Sequence, residues 1–165
     1  EVTEAFFWTF TDDYVELVKE RAYSGQDQDS SRAALDIALD TLLLLFAPFL
    51  PFTTEEVWSW THQGSIHRSS WPEAQALASL AGDADAGLLD HVGEVLTQVR
   101  RVKSQAKASM RAEIATAIVT APQATLLGLA SAEADLRGAG RIASLEWRAS
   151  EADGPTVIVV EATLA

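Results

Sequence analysis

Apolar residues recur at three- and four-residue spacing through most of the chain, and the period changes only after Ser109. Phe6, Phe7, Phe10, Tyr14, Leu17 and Val18 fall on one broad face and predict a helix over residues 2–22. Lys19 and Arg21 occupy its last turn, where cations suit the helix dipole, and Gly25 follows as a stop signal. The polar run 25–30 predicts a loop, with Asp29 or Ser30 as N-cap of a second helix over 31–46. Leu35, Ala38, Leu39, Leu42, Leu45 and Phe46 form its stripe. Ile37, Leu43 and Leu44 widen that stripe, which predicts burial on most sides.

The chain is organised around residues 42–58, where a buried helix ends, two prolines turn a corner and a third helix starts. Pro48 and Pro51 each fix φ, remove a donor and push the preceding residue toward extended geometry. Thr53 fits the N-cap of the next helix, Glu56 completes a capping box, and Phe52 is placed to staple onto Val57. That helix should cover 54–62 and end by Gly64. Ser65-Ile66-His67 and then Trp71-Pro72 predict an extended loop pinned onto the bundle by Ile66 and Trp71. Residues 73–87, rich in Ala, Gly, Ser and Asp, read as a linker or weak helix. Leu88, Leu89, Val92, Val95, Leu96, Val99, Val102 and Ala106 then mark a long fourth helix. Its other face carries Arg100, Arg101, Lys103 and Lys107, with Arg111 just beyond.

Beyond Ser109, residues 114–120, 142–147 and 156–163 predict strands, the last a continuous apolar run of the kind found in central strands. Between the first two lies an Ala/Leu helix over 122–136, and the turn-like 151–155 joins the last two. The predicted fold class is mainly α: a helical bundle over 1–82, a bridging helix with a basic face over 83–111, and a small α+β unit (β-α-β-β) over 112–165.

Composition narrows the chemistry. The chain has 165 residues, enough to bury a core, and lacks cysteine, which excludes disulfides and thiolate metal sites and fits a reducing compartment. Its apolar run at 42–52 is too short and too proline-broken to span a membrane. The acidic N-terminus has no basic n-region, so no signal peptide is expected. The chain opens inside a helical pattern without an initiator methionine, which points to a piece of something larger. Net charge is −12, against a general polyanion binder, but its distribution is uneven. Residues 1–82 hold 4 Lys/Arg against 13 Asp/Glu, whereas no acidic residue separates Glu94 from Glu113 and five basic ones do. Asp27 and Asp29 lack the further ligands of a calcium loop. His62, His67 and His91 have no partners spelled out for catalysis, and packed or surface roles suit them better.

Ala47-Pro48-Phe49-Leu50-Pro51-Phe52, followed by Thr54, Glu55, Glu56 and Trp58, resembles the anticodon-binding helical domain of class Ia aminoacyl-tRNA synthetases. That family includes the valyl, isoleucyl, leucyl and methionyl enzymes. Ser65-Ile66-His67 with Trp71 and Pro72 is similar to the family segment that follows the third helix. Phe6-Phe7-Trp8, then Asp12, Tyr14, Leu17, Lys19, Arg21 and Tyr23, resembles the valyl branch more than the isoleucyl one. Val99 to Lys107 is similar to the family's Val-Arg-x-x-Arg/Lys-x-Glu helix, though Gln105 stands where Glu is common. Ser109-Met110 also replaces the Asn-Val-Pro-Pro often found next. The resemblance covers about residues 1–120.

The resemblance implies a non-catalytic module that holds the anticodon arm of a valine-type tRNA, attached to the remaining domains of a cytoplasmic ligase. Neither class Ia catalytic signature occurs here, nor a Gly-rich phosphate loop. No cofactor is expected in this piece, while ATP and Mg are implied for the parent. Arg100, Arg101, Lys103, Lys107 and Arg111 are the expected phosphate contacts, which orient RNA without reading it. Trp8, Tyr23, Trp58 and Trp60 are the aromatics on which unstacked bases could lie. Ala47, Pro48, Phe49, Pro51, Phe52, Thr54, Glu55, Glu56, Trp58, Trp71 and Pro72 are family-motif positions with structural roles. A second reading is a helical protein–protein or interdomain module whose basic helix docks on an acidic surface, even within one molecule. A bundle cut short should also expose an apolar face and self-associate.

Overall fold

A computed structural model of the chain describes residues 2–24, 28–85, 87–150 and 158–165. The first apolar run forms α1 (Val2–Thr9), a π-helical turn (Phe10–Tyr14) and α2 (Val15–Ser24). Phe6, Phe10 and Tyr14 stack in file across that turn, with ring centroids 5.9 and 5.8 Å apart. Gly25 and Asp27 lie outside the described residues. Helix α3 (Gln28–Phe46) starts earlier than expected, so Asp29 and Ser30 sit in its first turn instead of at the cap. Gln28 Nε2 donates to the Ala22 and Tyr23 carbonyls, and Arg32 Nε also donates to Ala22. These bonds satisfy carbonyls that the end of α2 leaves without helical partners. Burial of α3 is one-sided, contrary to its broad apolar stripe. Ile37 and Leu39 remain exposed, and Ile37 lies on an open apolar groove between α3 and α5 (Ala74–Ala81) that Phe6, Leu77 and Leu80 also line.

At the corner, α4 (Pro51–Ser59) begins with Pro51 at its first position and Leu50 as N-cap without a side-chain bond. The expected capping box at Thr53 therefore does not form. Proline explains the shift, since its preset φ starts a helix and its missing N–H is an orphan there anyway. Thr54 is buried in the first turn and its Oγ1 donates to the Leu50 carbonyl at 2.9 Å. Phe52 is 89% exposed, so it does not staple onto Val57. Ile66 is buried as expected, at the start of a 3-10 turn (Ile66–Arg68). The Glu55 carboxylate holds that turn, accepting from Ser65 Oγ at 2.9 Å and from the Ile66 amide at 3.0 Å. Trp71, expected as a second anchor, is 61% exposed. The Glu55 clamp and Ile66 have already pinned the loop before Trp71 is reached.

Residues read as a linker include α5, which ends at Gly82 with φ 54°. Helix α6 (Leu88–Gln105) follows, then β1 (Ile114–Ala121), α7 (Gln123–Ser131), α8 (Glu133–Gly140), β2 (Ile142–Ala149) and β3 (Val159–Leu164). The chain is thus mainly α with a small α+β unit. The predicted 122–136 helix is broken at Ala132 into α7 and α8. Strand order is β2-β1-β3, with β1 parallel to β2 (Val119 beside Trp147) and antiparallel to β3 (Val119 beside Val160). The late apolar strand is therefore an edge and β1 is central. The expected turn at 151–155, together with residues 156 and 157, lies outside the described residues. Gln98 of α6 covers part of that edge: its Nε2 donates to the Ile158 carbonyl at 2.7 Å, and its Oε1 accepts from the Val160 amide at 2.9 Å.

One buried cluster joins Leu17 and Val18 of α2, Val92 to Val99 of α6, and inward residues of the sheet, α7 and α8. Leu96, Ile114, Leu129 and Leu136 are its largest fully buried side chains. A second, small cluster holds the corner together through Leu43, Ala47, Trp58 and Ile66.

Candidate functional site

The basic run at the end of α6 separates into two sets. A helix turns about 100° per residue, so Arg101 is turned about 100° from Arg100 and about 160° from Lys103. Arg100 faces the N-terminal helix. Its Nη1 donates to Asp13 Oδ1 at 3.1 Å and its Nη2 to the Asp12 carbonyl at 3.0 Å. Both acceptors belong to the π-helical turn. Gly93 leaves room for this approach, since a Cβ there would stand 3.3 Å from Asp13 Oδ2. Lys103 is only 2% exposed, and its Nζ donates to the Gly140 carbonyl at 2.8 Å and to the Met110 carbonyl at 3.2 Å. Burial pushes its pKa below the usual lysine range, and the nearby Arg141 charge pushes the same way.

Arg101, Lys107 and Arg111 are exposed, and none has an ion-pair partner among the described residues. Lys107 follows α6 in the left-handed region at φ 53°. Ala108 N–H bonds the Lys103 carbonyl at 2.9 Å and Lys107 N–H the Ser104 carbonyl at 3.0 Å. This is the two-bond helix stop usually built on glycine. The single basic face expected from spacing is thus corrected. Arg100 and Lys103 are bound into the fold, while Arg101, Lys107 and Arg111 face solvent.

The aromatic side chains divide in the same way. Trp58 is buried and lies parallel to His62, ring centroids 3.7 Å apart, and His62 Nε2 stands 3.2 Å from Asp40 Oδ2. Its burial removes Trp58 from the stacking surfaces. Trp8, Tyr23 and Trp60 are exposed. Phe49 and Phe52, read as motif residues with structural roles, project even further into solvent. Apolar periodicity assigns such rings to a core, so the local pattern gave no signal of their exposure. Elsewhere Arg21 Nη2 donates to Asp135 Oδ2 at 2.9 Å, tying α2 to α8. Burial raises the Asp135 pKa and the Arg21 charge opposes that rise. Burial likewise raises the Tyr14 pKa.

This arrangement is a helical bundle with a cation-bearing helix end and outward aromatic rings, the parts from which RNA-loop binders are built. Residues 2–119 match the family described as the anticodon-binding domain of tRNA ligase. The chain belongs to that family. Its relatives include the valine–tRNA ligase of Cutibacterium acnes, 46% identical over 99% of this chain and 19% of that protein. The valine–tRNA ligase of Thermobifida fusca is 47% identical over 92% of this chain and 17% of that protein. That of Salinispora tropica is 45% identical over 94% and 20%. The chain therefore spans about a fifth of the length of the curated relatives it matches. The family match stops at Val119 within β1, whereas the C. acnes ligase aligns with nearly the whole chain.

Proposed function

We propose that this chain binds and positions the anticodon arm of a valine-accepting tRNA as the non-catalytic part of a valine–tRNA ligase. The observation that carries the reading is the match over residues 2–119, which includes the exposed cations Arg101, Lys107 and Arg111. Those three supply contacts to backbone phosphates, which fix register and orientation. Trp8, Tyr23, Trp60, Phe49 and Phe52 supply planes for splayed bases. Joining valine to tRNA with ATP and magnesium would take place in the rest of the parent. Correct placement of the arm contributes there as geometry at a distant reacting centre.

The interdomain reading has its own support, because Arg100 docks on the acidic turn at Asp12 and Asp13 inside this molecule. One titration separates the two. Anisotropy of labelled valine tRNA is measured against the same tRNA with its anticodon exchanged, over a salt series. Tighter binding to the matching anticodon is expected. Equal binding to both would remove base reading, and absence of binding would leave only the interdomain role.

A further inference from the structure

A cavity of about 430 Å³ lies between α2, α6, the connection from α6 to β1, and the end of α8. Its wall carries Lys19, Arg100, Lys103, Arg111 and Arg141, with Glu16 as the acidic member. Five of the chain's twelve Lys/Arg thus meet at one cavity, together with one of its 24 Asp/Glu, in a protein of net charge −12. They come from four separate stretches, so helix periodicity does not account for the gathering. Some of this charge is already matched. Lys19 Nζ is 3.2 Å from Glu16 Oε1, and Arg100 holds Asp13. Arg111 and Arg141 have no ion-pair partner among the described residues.

Lys103 is the more telling member. An ammonium has three donors, and the two carbonyl bonds of Lys103 use two of them. The third has no partner among the described residues, on a side chain 2% exposed. Leaving a buried charged donor unmatched is costly, and an anion in this cavity would supply the acceptor. The room is sufficient, since a water takes about 30 Å³ of liquid volume. Arg141 is itself the left-handed residue that closes α8, at φ 52°.

We propose that this cavity receives one phosphate group of the RNA backbone, with Arg111 and Arg141 as its outer donors and Lys103 as the inner one. This rests on the tRNA-binding reading and extends it, because Lys19 and Arg141 lie outside the basic run. A backbone phosphate and free inorganic phosphate share the required chemistry, so both are tested.

The test compares wild type, Arg141→Gln, Lys19→Gln and Arg101→Gln, which lies outside the cavity. Binding of labelled valine tRNA is followed by anisotropy across a salt series, with thermal melts as folding controls. Inorganic phosphate is titrated separately while backbone amide shifts of residues 103 and 141 are followed by NMR. Loss of one phosphate contact should weaken binding about 5–10-fold near 0.1 M salt and lower the log–log salt slope by roughly 0.7–0.9. Arg141→Gln is expected to show that loss with an unchanged melt, and Lys19→Gln a smaller one. If Arg141→Gln and Lys19→Gln bind like wild type while Arg101→Gln weakens, the cavity is excluded and the tRNA reading stands. If phosphate shifts residues 103 and 141 but neither cavity variant alters RNA binding, the cavity holds a small anion and the RNA assignment fails. No RNA binding by wild type overturns both.

Discussion

The corner and the shared core are built on opposite terms. The corner buries Leu43, Ala47, Trp58 and Ile66 and turns Phe49, Leu50, Phe52 and Trp60 outward. The shared core takes its apolar residues from both ends of the chain, and its large side chains are fully enclosed. Stability should therefore reside mainly in the core, while the corner leaves its aromatic rings free for contact. Regions with few buried apolar contacts open at lower cost than the whole molecule.

The largest expected effect tests that division directly. Leu96→Ala removes a side chain 1% exposed at the centre of the shared core, at a cost of about 2–5 kcal/mol. The urea midpoint followed by Trp147, which packs against this core, should fall accordingly. Ile66→Ala is as severe a truncation of a side chain equally hidden, but it should loosen the corner while leaving the Trp147 transition nearly in place. Equal shifts from both variants would make the two clusters one cooperative unit.

A smaller effect separates the two sets of cations. Lys103→Met strips a donor from the buried Gly140 carbonyl and the half-buried Met110 carbonyl and should cost about 1–3 kcal/mol. Arg101→Gln should stay within about 0.5 kcal/mol, as exposed substitutions do. The pH response carries a sign. The pKa of Lys103 is lowered by folding, so the unfolded chain binds more protons just below 10.5. The contribution of Lys103 to stability should thus rise with pH through that window, and the rise should be missing from Lys103→Met in paired denaturant titrations.

The smallest effect is a gain. Lys107 occupies a left-handed position, φ 53°, that suits glycine, so Lys107→Gly should raise stability by up to about 1 kcal/mol. Removing an exposed cation should at the same time weaken RNA binding. A melt that falls would show that the exposed side chain has a packing role.

Legibility from the sequence followed the range of the forces involved. The span of α6, the two-proline corner and the β-rich end rest on local period and proline geometry, and each was readable. The start of α4 departs from the local pattern because two N-terminal signals compete and Pro51 prevails over Thr53 and Glu56. The exposure of Phe52 and Trp71 was hidden, since an apolar ring looks the same to a pattern whether or not a neighbour covers it. Lys103 shows the deepest limit. Its position four residues after Val99 sets it on the buried stripe and apart from exposed Arg101, but the carbonyl that receives its charge, at Gly140, is 37 residues away and leaves no local trace. The place of β3 at the sheet edge is likewise decided by its partners and not by its own composition.

Gln98 gives that edge an unexpected guard. A carboxamide side chain has the same donor and acceptor as a peptide unit, and here it meets β3 at the Ile158 carbonyl and the Val160 amide. One helical residue thereby stands in for the first rung of a fourth strand. An incoming extended chain would find its docking template already occupied at that point, which discourages edge-to-edge aggregation alongside the charge of Glu161 on the same strand.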